Sequence, residues 1–187
     1  MALNFANKVT IFRILAVPFF IASVLYYNPQ RDVLRFVSLG IFLLAIASDA
    51  IDGYIARKQK QETKVGSILD PVADKLLLIG AFICLYVIDG FPNGIRFPLW
   101  VVLIVISRDV IILIGSMLIY MVHGNMEILP TKWGKVTTFF QMLSVIGILI
   151  QFSYSFILWY LTVGFTVISG FGYIRKGVRV LNVPIRS

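Results

Sequence analysis

Four aspartates lie in the segment 49–74 of a chain that is otherwise mostly apolar. Asp49 and Asp52 are three residues apart, and Asp70 and Asp74 are four apart. Either separation places two side chains on one face of an α-helix. Four carboxylates brought together repel one another, and hard oxygen ligands of this kind bind divalent cations such as Mg²⁺. The spacing therefore predicts a two-ion site of the type that supports phosphoryl transfer.

The alternative for these aspartates is solvation at helix ends. Asp70 could interact favourably with the N-terminal dipole of a helix. Asp49 and Asp52 are predicted near a helix C-terminus, where negative charge is unfavourable. Solvation thus explains one aspartate and fails for two, which favours metal binding.

The rest of the chain predicts a helical membrane protein with a single domain over 1–187. Hydrophobic residues make up 59% of the 187 residues, and about 20 apolar residues cross a bilayer. Six segments meet this requirement, separated by short polar or Pro/Gly-bearing breaks. They are about 8–28, 34–57, 66–88, 97–122, 133–152 and 154–174. A soluble chain of this length would have too little polar surface to cover six such helices.

The basic residues predict which ends of these segments face the cytoplasm. The chain carries 17 Lys and Arg against 9 Asp and Glu, and most of the cations fall at one end of the predicted bundle. The positive-inside rule places that end in the cytoplasm, with both termini and the aspartate-bearing loop. The expected fold is an all-α integral membrane protein with six transmembrane helices. Its metal site would lie at the cytoplasmic ends of helices 2 and 3.

The residues around the aspartates complete a longer pattern. It runs Asp49-x2-Asp52-Gly53-x2-Ala56-Arg57-x8-Gly66-x3-Asp70-x3-Asp74. This pattern resembles the complete signature of the CDP-alcohol phosphatidyltransferase family, and none of its eight positions departs from it. The resemblance implies a membrane-embedded enzyme that releases CMP from a CDP-linked lipid and passes the phosphatidyl group to an alcohol.

The resemblance also implies a role for each residue of the pattern. The ligands of two divalent cations, Mg²⁺ or Mn²⁺, would be Asp49, Asp52, Asp70 and Asp74, and Asp74 would also be the catalytic general base. The residues of the CDP site would be Asn7, Thr10, Asp52, Gly53, Ala56, Arg57 and Gly66. For Asn7 and Thr10, anchoring of the first helix at the membrane surface is an open alternative. A homodimer in the bacterial cell membrane is expected, with lipid partners and no nucleic acid.

Three cations outside the motif bear on the choice of alcohol. Arg108 lies inside the fourth apolar segment, and Lys132 and Lys135 lie at the start of the fifth. Together they could bind the phosphate of a phosphorylated acceptor, since a buried arginine is costly without a partner. The alternative pairs Arg108 with Asp109 or Glu127 and leaves the lysines extended to the membrane surface.

Two further segments resemble the branch of the family that uses glycerol 3-phosphate. They are Gly134-Lys135-x2-Thr138-x2-Gln141 and the SRD sequence at 107–109. The expected reaction converts CDP-diacylglycerol and glycerol 3-phosphate to phosphatidylglycerophosphate and CMP by direct displacement. A sister transferase that uses inositol phosphate or another alcohol remains an alternative. A divalent-cation carrier is a remote one, because a transport path would need acidic residues continuing toward the bilayer centre.

Overall fold

The computed structural model describes residues 5–59, 66–89, 91–123 and 132–181, with side chains described within 11–30, 32–48, 75–89, 91–115, 133–173 and 175. The described residues form six α-helices and no strand. They are α1 Phe5–Leu25, α2 Val33–Gln59, α3 Gly66–Val87, α4 Leu99–His123, α5 Lys132–Leu149 and α6 Ser155–Leu181. Each predicted apolar segment corresponds to one helix, so the prediction of an all-α chain with six helices is confirmed.

Apolar stretches within the described residues bear on the prediction of membrane spans. Within the described residues, the stretch Ser155–Tyr173 is long and apolar enough to cross a membrane. Four other helices contain shorter apolar stretches, which are Ile11–Leu25, Val33–Ser48, Lys75–Val87 and Trp133–Leu149. Six membrane spans therefore remain a prediction.

The chain divides into two compact units. Unit 1 comprises Met1–Arg96 and Val145–Ser153, and unit 2 comprises Phe97–Ser144 and Tyr154–Ser187. The prediction of one domain over 1–187 is not tested by this division and stays a prediction.

In unit 1, α1 packs against both α2 and α3. Its core is built from aromatic and aliphatic side chains, among them Phe20 and Phe42, whose ring centroids are 5.7 Å apart. A hydrogen bond of 2.8 Å between Ser23 Oγ and Ser38 Oγ also joins α1 to α2. These buried contacts fix the two helices that carry the aspartate motif against a common neighbour.

A buried arginine holds the beginning of α2 to the end of α5 within unit 1. Arg35 donates to both carboxylate oxygens of Asp32 at 2.8 and 2.7 Å. Its Nη1 donates to the carbonyl of Leu149, the last residue of α5, at 2.9 Å. That carbonyl has no partner within its own helix and lies at the negative end of the helix dipole. The hydrogen bonds from Arg35 lower the pKa of Asp32 below its usual 3.8, although partial burial opposes them.

Just after α5, the backbone adopts a left-handed conformation at a residue that is not glycine. Gln151 has φ of 55°, a conformation that costs a residue with a Cβ about 1 kcal/mol. The amide of Phe152 donates to the carbonyl of Gly147 at 2.8 Å, and the amide of Gln151 donates to Ile148 at 2.9 Å. This pair of hydrogen bonds is the Schellman pattern, which satisfies the last carbonyls of a helix.

The side chain of Gln151 compensates for this backbone cost. Its Oε1 accepts from the amide of Asn93 at 3.1 Å, and its Nε2 donates to the carbonyls of Ile95 at 3.2 Å and Ile148 at 2.7 Å. The side-chain amide of Asn93 donates in turn to the Gln151 carbonyl at 3.2 Å. Gln151 thereby ties the loop after α3 to the end of α5.

Two substitutions at Gln151 separate the side-chain contribution from the backbone cost. Gln151→Gly loses the side-chain hydrogen bonds but removes the left-handed strain, whereas Gln151→Ala loses the bonds and keeps the strain. We expect thermal stability in a fixed detergent to fall in the order wild type, glycine variant, alanine variant. The two variants should differ by about 1 kcal/mol.

The control is the exposed Gln30, whose replacement by alanine should leave the unfolding midpoint unchanged. An alanine variant as stable as the wild type would show that the side-chain bonds contribute nothing, because these two proteins share the left-handed strain. An alanine variant as stable as the glycine variant would contradict the strain argument.

Candidate functional site

The aspartates of the motif lie on two helices that share a neighbour. Asp49 and Asp52 are in the second half of α2, and Asp70 and Asp74 are in the first three turns of α3. Helix geometry places the members of each pair on one face, ~60° and ~40° apart respectively. Both helices pack against α1. The four side chains lie outside the described residues, so their convergence on metal ions stays a prediction.

The observed start of α3 bears on the solvation alternative. The helix begins at Gly66 and has no acidic residue in its first turn. The favourable effect of a carboxylate on the helix dipole falls off within that turn. Asp70 is the fifth residue of α3, so dipole stabilisation is a weak explanation for it.

The other residues predicted for the CDP site also lie on α1, α2 and α3. Gly53, Ala56 and Arg57 follow the first aspartate pair on α2, and Gly66 opens α3. Asn7 and Thr10 lie in the first turns of α1. These side chains too are outside the described residues, and their contacts with a nucleotide remain a prediction.

Among the side chains that the structure describes, no group of three or more His, Cys, Asp or Glu could hold a metal ion. The aspartate motif is thus the metal-site candidate that the sequence supplies.

The predicted acceptor cation Arg108 is buried in unit 2 and held by two side chains. It is 8% exposed, and Asp109 is fully buried. The Nη1 of Arg108 donates to Asp109 Oδ1 at 2.7 Å, and its Nη2 donates to Ser169 Oγ on α6 at 2.5 Å. The pairing with Asp109 is one that the sequence offered as an alternative to phosphate binding. Contact between Arg108 and a phosphate stays a prediction.

The two lysines of the predicted acceptor site are at the start of α5. Lys132 is the first residue of that helix, and its side chain is outside the described residues. Lys135 is exposed on the following turn. The exposed ammonium group of Lys135 is available to an anion. No contact in the described part of unit 2 pairs it with an anionic group.

A row of buried polar residues, here called the polar seam, lies between α5 and α6 in unit 2. Its members are Thr137, Gln141 and Ser144 on α5 and Thr162, Thr166 and Ser169 on α6. Ser144 Oγ and Thr162 Oγ1 share a hydrogen bond of 2.8 Å, and Thr137 Oγ1 lies 3.0 Å from the carbonyl of Phe165. The seam therefore joins the two helices through side-chain oxygens rather than through apolar contact alone.

Apart from Gln141, which belongs to the pattern at 134–141, the polar seam was missed by sequence reasoning, although a signal for it exists. On both helices the members are spaced by four and then three residues. That spacing repeats on one face of a helix. Serine and threonine at such positions are common between helices in apolar surroundings. In a long apolar run, serine and threonine are weaker signals of a buried polar contact than charged residues are.

Two atoms beside the seam lack hydrogen-bond partners among the described residues. They are Arg108 Nε and Gln141 Oε1, both buried. Leaving a buried polar atom unsatisfied costs about 1–3 kcal/mol, and more for a charged group. Gln141 is held from its other end, where Nε2 lies 3.5 Å from Asp109 Oδ2.

Comparison with known proteins agrees with the motif. The family model described as CDP-alcohol phosphatidyltransferase matches residues 3–168, which covers the aspartates, Arg108 and the polar seam as far as Thr166.

Three relatives with curated names match over most of the chain. A Haemophilus influenzae protein is 35% identical over 82% of this chain and 79% of its own length. A Bacillus subtilis protein is 30% identical over 95% of this chain and 97% of its own length. Both are named CDP-diacylglycerol–glycerol-3-phosphate 3-phosphatidyltransferase. A Mycobacterium tuberculosis protein named probable phosphatidylglycerophosphate synthase is 27% identical over 94% of this chain and 82% of its own length. The chain belongs to the CDP-alcohol phosphatidyltransferase family.

Proposed function

We propose that this protein transfers the phosphatidyl group of CDP-diacylglycerol to glycerol 3-phosphate, with phosphatidylglycerophosphate and CMP as products. The observation that carries the proposal is the complete aspartate motif from Asp49 to Asp74 inside a family match over residues 3–168. The names of the Haemophilus influenzae and Bacillus subtilis relatives support glycerol 3-phosphate as the acceptor. The reaction is a step of phospholipid biosynthesis.

The aspartates suit a pair of Mg²⁺ or Mn²⁺ ions. All four offer carboxylate oxygens, which are the ligands these ions prefer. The helical backbone of α2 and α3 sets each pair on one face. Asp49, Asp52, Asp70 and Asp74 would hold the ions, which would supply neutralisation of the negative charge that develops on the pyrophosphate.

Asp74 is proposed as the general base in addition to its role as a ligand. A carboxylate within hydrogen-bond reach of the acceptor hydroxyl accepts its proton as the oxygen attacks. That oxygen bonds to the phosphorus of the phosphatidyl group while the bond from this phosphorus to the CMP oxygen breaks. CMP leaves with the electron pair, and no covalent enzyme intermediate is needed.

The nucleotide and acceptor would be bound by separate sets of residues. Those proposed for CDP are Asn7, Thr10, Asp52, Gly53, Ala56, Arg57 and Gly66. Glycine and alanine allow close approach of the nucleotide to the helices, and the Arg57 guanidinium suits a pair of phosphate oxygens. Those proposed for the phosphate of glycerol 3-phosphate are Arg108, Lys132 and Lys135.

The substrate and the exposed surface both favour a membrane location. Large apolar side chains point outward on helices of each unit, with Phe19 67% and Phe171 65% exposed. Apolar surface of this kind is unfavourable in water and suits lipid tails. We place all six helices across the bacterial cell membrane, with both termini and the metal site on the cytoplasmic side. The active form is proposed to be a homodimer.

An acceptor panel tests the proposed function. Purified protein in detergent receives CDP-diacylglycerol, Mg²⁺ and one alcohol at a time, and CMP release is measured. We expect release with glycerol 3-phosphate and none with serine or choline, because the last two carry no phosphate for the proposed cations to bind. Inositol phosphate does carry one, and we expect no release with it because the Haemophilus influenzae and Bacillus subtilis relatives are named for glycerol 3-phosphate. Release with inositol phosphate alone would contradict the acceptor assignment. No release with any alcohol from folded protein would overturn the transferase proposal and favour a cation carrier.

The role of Asp74 is tested by replacing its carboxylate with an amide. Asp74→Asn keeps an oxygen for a metal ion but removes the basic group, so we expect transfer to fall by roughly 10²–10⁴-fold. Bound Mn²⁺, counted by electron paramagnetic resonance, should remain measurable. Asp89→Asn, at an exposed aspartate just beyond the other end of α3, serves as the control and should retain wild-type turnover. Wild-type turnover in Asp74→Asn would exclude this residue as the base.

A further inference from the structure

Asp109 lies at the centre of a buried network that draws on three helices of unit 2. One of its carboxylate oxygens accepts from Arg108 Nη1 at 2.7 Å, and the other lies 3.5 Å from Gln141 Nε2. Arg108 also donates to Ser169 at 2.5 Å. Asp109 and Gln141 are fully buried, and Ser169 is 1% exposed. Solvent therefore does not compete for these contacts.

These contacts determine where the Arg108 and Gln141 side chains point. Adjacent residues on a helix do not face each other, so Arg108 must bend around the helix to reach Asp109. Ser169 then fixes the far end of its guanidinium. A carboxylate attracts the N–H₂ end of an amide and repels its carbonyl end, so Asp109 turns the Gln141 Oε1 atom away from itself. One carboxylate thus orients a cation and an amide together.

The two side chains present unsatisfied groups of complementary kinds. Arg108 Nε is a donor on a cation, and Gln141 Oε1 is a neutral acceptor, and neither has a hydrogen-bond partner among the described residues. The Ser144–Thr162 pair of the polar seam differs, because each hydroxyl there has the other as its partner. A cationic donor and a neutral acceptor, on two side chains that contact the same carboxylate, match a molecule that carries both a phosphate and a hydroxyl group.

We propose that Gln141 is a specificity-determining residue that accepts a hydrogen bond from the C2 hydroxyl of glycerol 3-phosphate. Asp109 is the positioning residue that holds the side chains of Gln141 and Arg108, both of which are proposed to contact this acceptor. The inference rests on the proposed function and adds to it the group that recognises the alcohol rather than the phosphate. A buried hydrogen-bond acceptor such as Gln141 Oε1 discriminates against a substrate analogue that lacks the hydroxyl, because the hydrogen bond to Oε1 is then left unmade.

The test compares glycerol 3-phosphate with propane-1,3-diol monophosphate, which keeps the attacking hydroxyl and the phosphate but lacks the C2 hydroxyl. For the wild type we expect kcat/KM to favour glycerol 3-phosphate by about tenfold or more. Gln141→Met, which keeps the length of the side chain, should bring that ratio close to one. The KM for CDP-diacylglycerol should not change. If Gln141 served only to pack against its neighbours, Gln141→Met would instead lower kcat/KM for both acceptors equally.

The matched control is Ser144→Ala, on the same face of α5 and without a contact to Asp109 among the described hydrogen bonds. It should keep the wild-type ratio even if its thermal midpoint falls. Asp109→Asn weakens the hold on both neighbours, so it should lower kcat/KM for both acceptors and shrink the ratio as well. Its thermal midpoint is measured alongside.

Several outcomes would overturn the inference. A wild-type enzyme that uses both acceptors equally well excludes recognition of the C2 hydroxyl without any variant. An unchanged ratio in folded Gln141→Met excludes Gln141 as the recognising group, while the transferase function stands. Absence of transfer to glycerol 3-phosphate in the wild type overturns the proposed function itself, and the inference with it.

Discussion

The structure depends on one constraint, which is that polar groups buried among apolar helices must satisfy one another. Unit 1 meets this constraint through Arg35, whose guanidinium neutralises Asp32 and caps the last carbonyl of α5. Unit 2 meets it through the pair of Arg108 and Asp109 and through the polar seam. Breaking one partner of a buried pair is costly, because the other is left charged in a medium that solvates it poorly. Such pairs therefore favour a single arrangement of the helices that carry them.

The same constraint connects packing with chemistry. A network in which every donor and acceptor is matched serves stability alone, as the Ser144–Thr162 pair does. Where unmatched atoms remain beside a buried ion pair, the protein carries a cost that a substrate of the right chemistry removes on binding. The proposed metal site would follow a similar principle, since four carboxylates brought close together are unfavourable until cations are bound. In both proposed sites, binding of the substrate or the metal would lower the free energy of groups that are unfavourable in the empty protein.

The sequence predicted the helices well, because a helix is one of the few structures in which an apolar run of this length satisfies its own backbone hydrogen bonds. The aspartate motif stands out in the sequence, since acidic residues are rare in this chain and the spacing is distinctive, and the metal site inferred from it stays a prediction. The side-chain geometry was harder. Arg108 was expected near a phosphate or paired with Asp109 or Glu127. The structure shows the pairing with Asp109, although neighbours on a helix ordinarily point apart. Glu127 lies outside the described residues, and contact with a phosphate stays a prediction. The left-handed Gln151 carries no sequence signal, as glycine is the usual residue there.

The central claim is that the protein joins two substrates rather than cleaving one. It is tested most directly by reconstituting the purified chain in lipid vesicles with CDP-diacylglycerol and Mg²⁺, and identifying the lipid product by mass spectrometry. We expect phosphatidylglycerophosphate in a one-to-one ratio with CMP, and neither product when glycerol 3-phosphate is omitted. Phosphatidic acid and CMP formed at the same rate with and without glycerol 3-phosphate would contradict it, because the enzyme would then be a hydrolase.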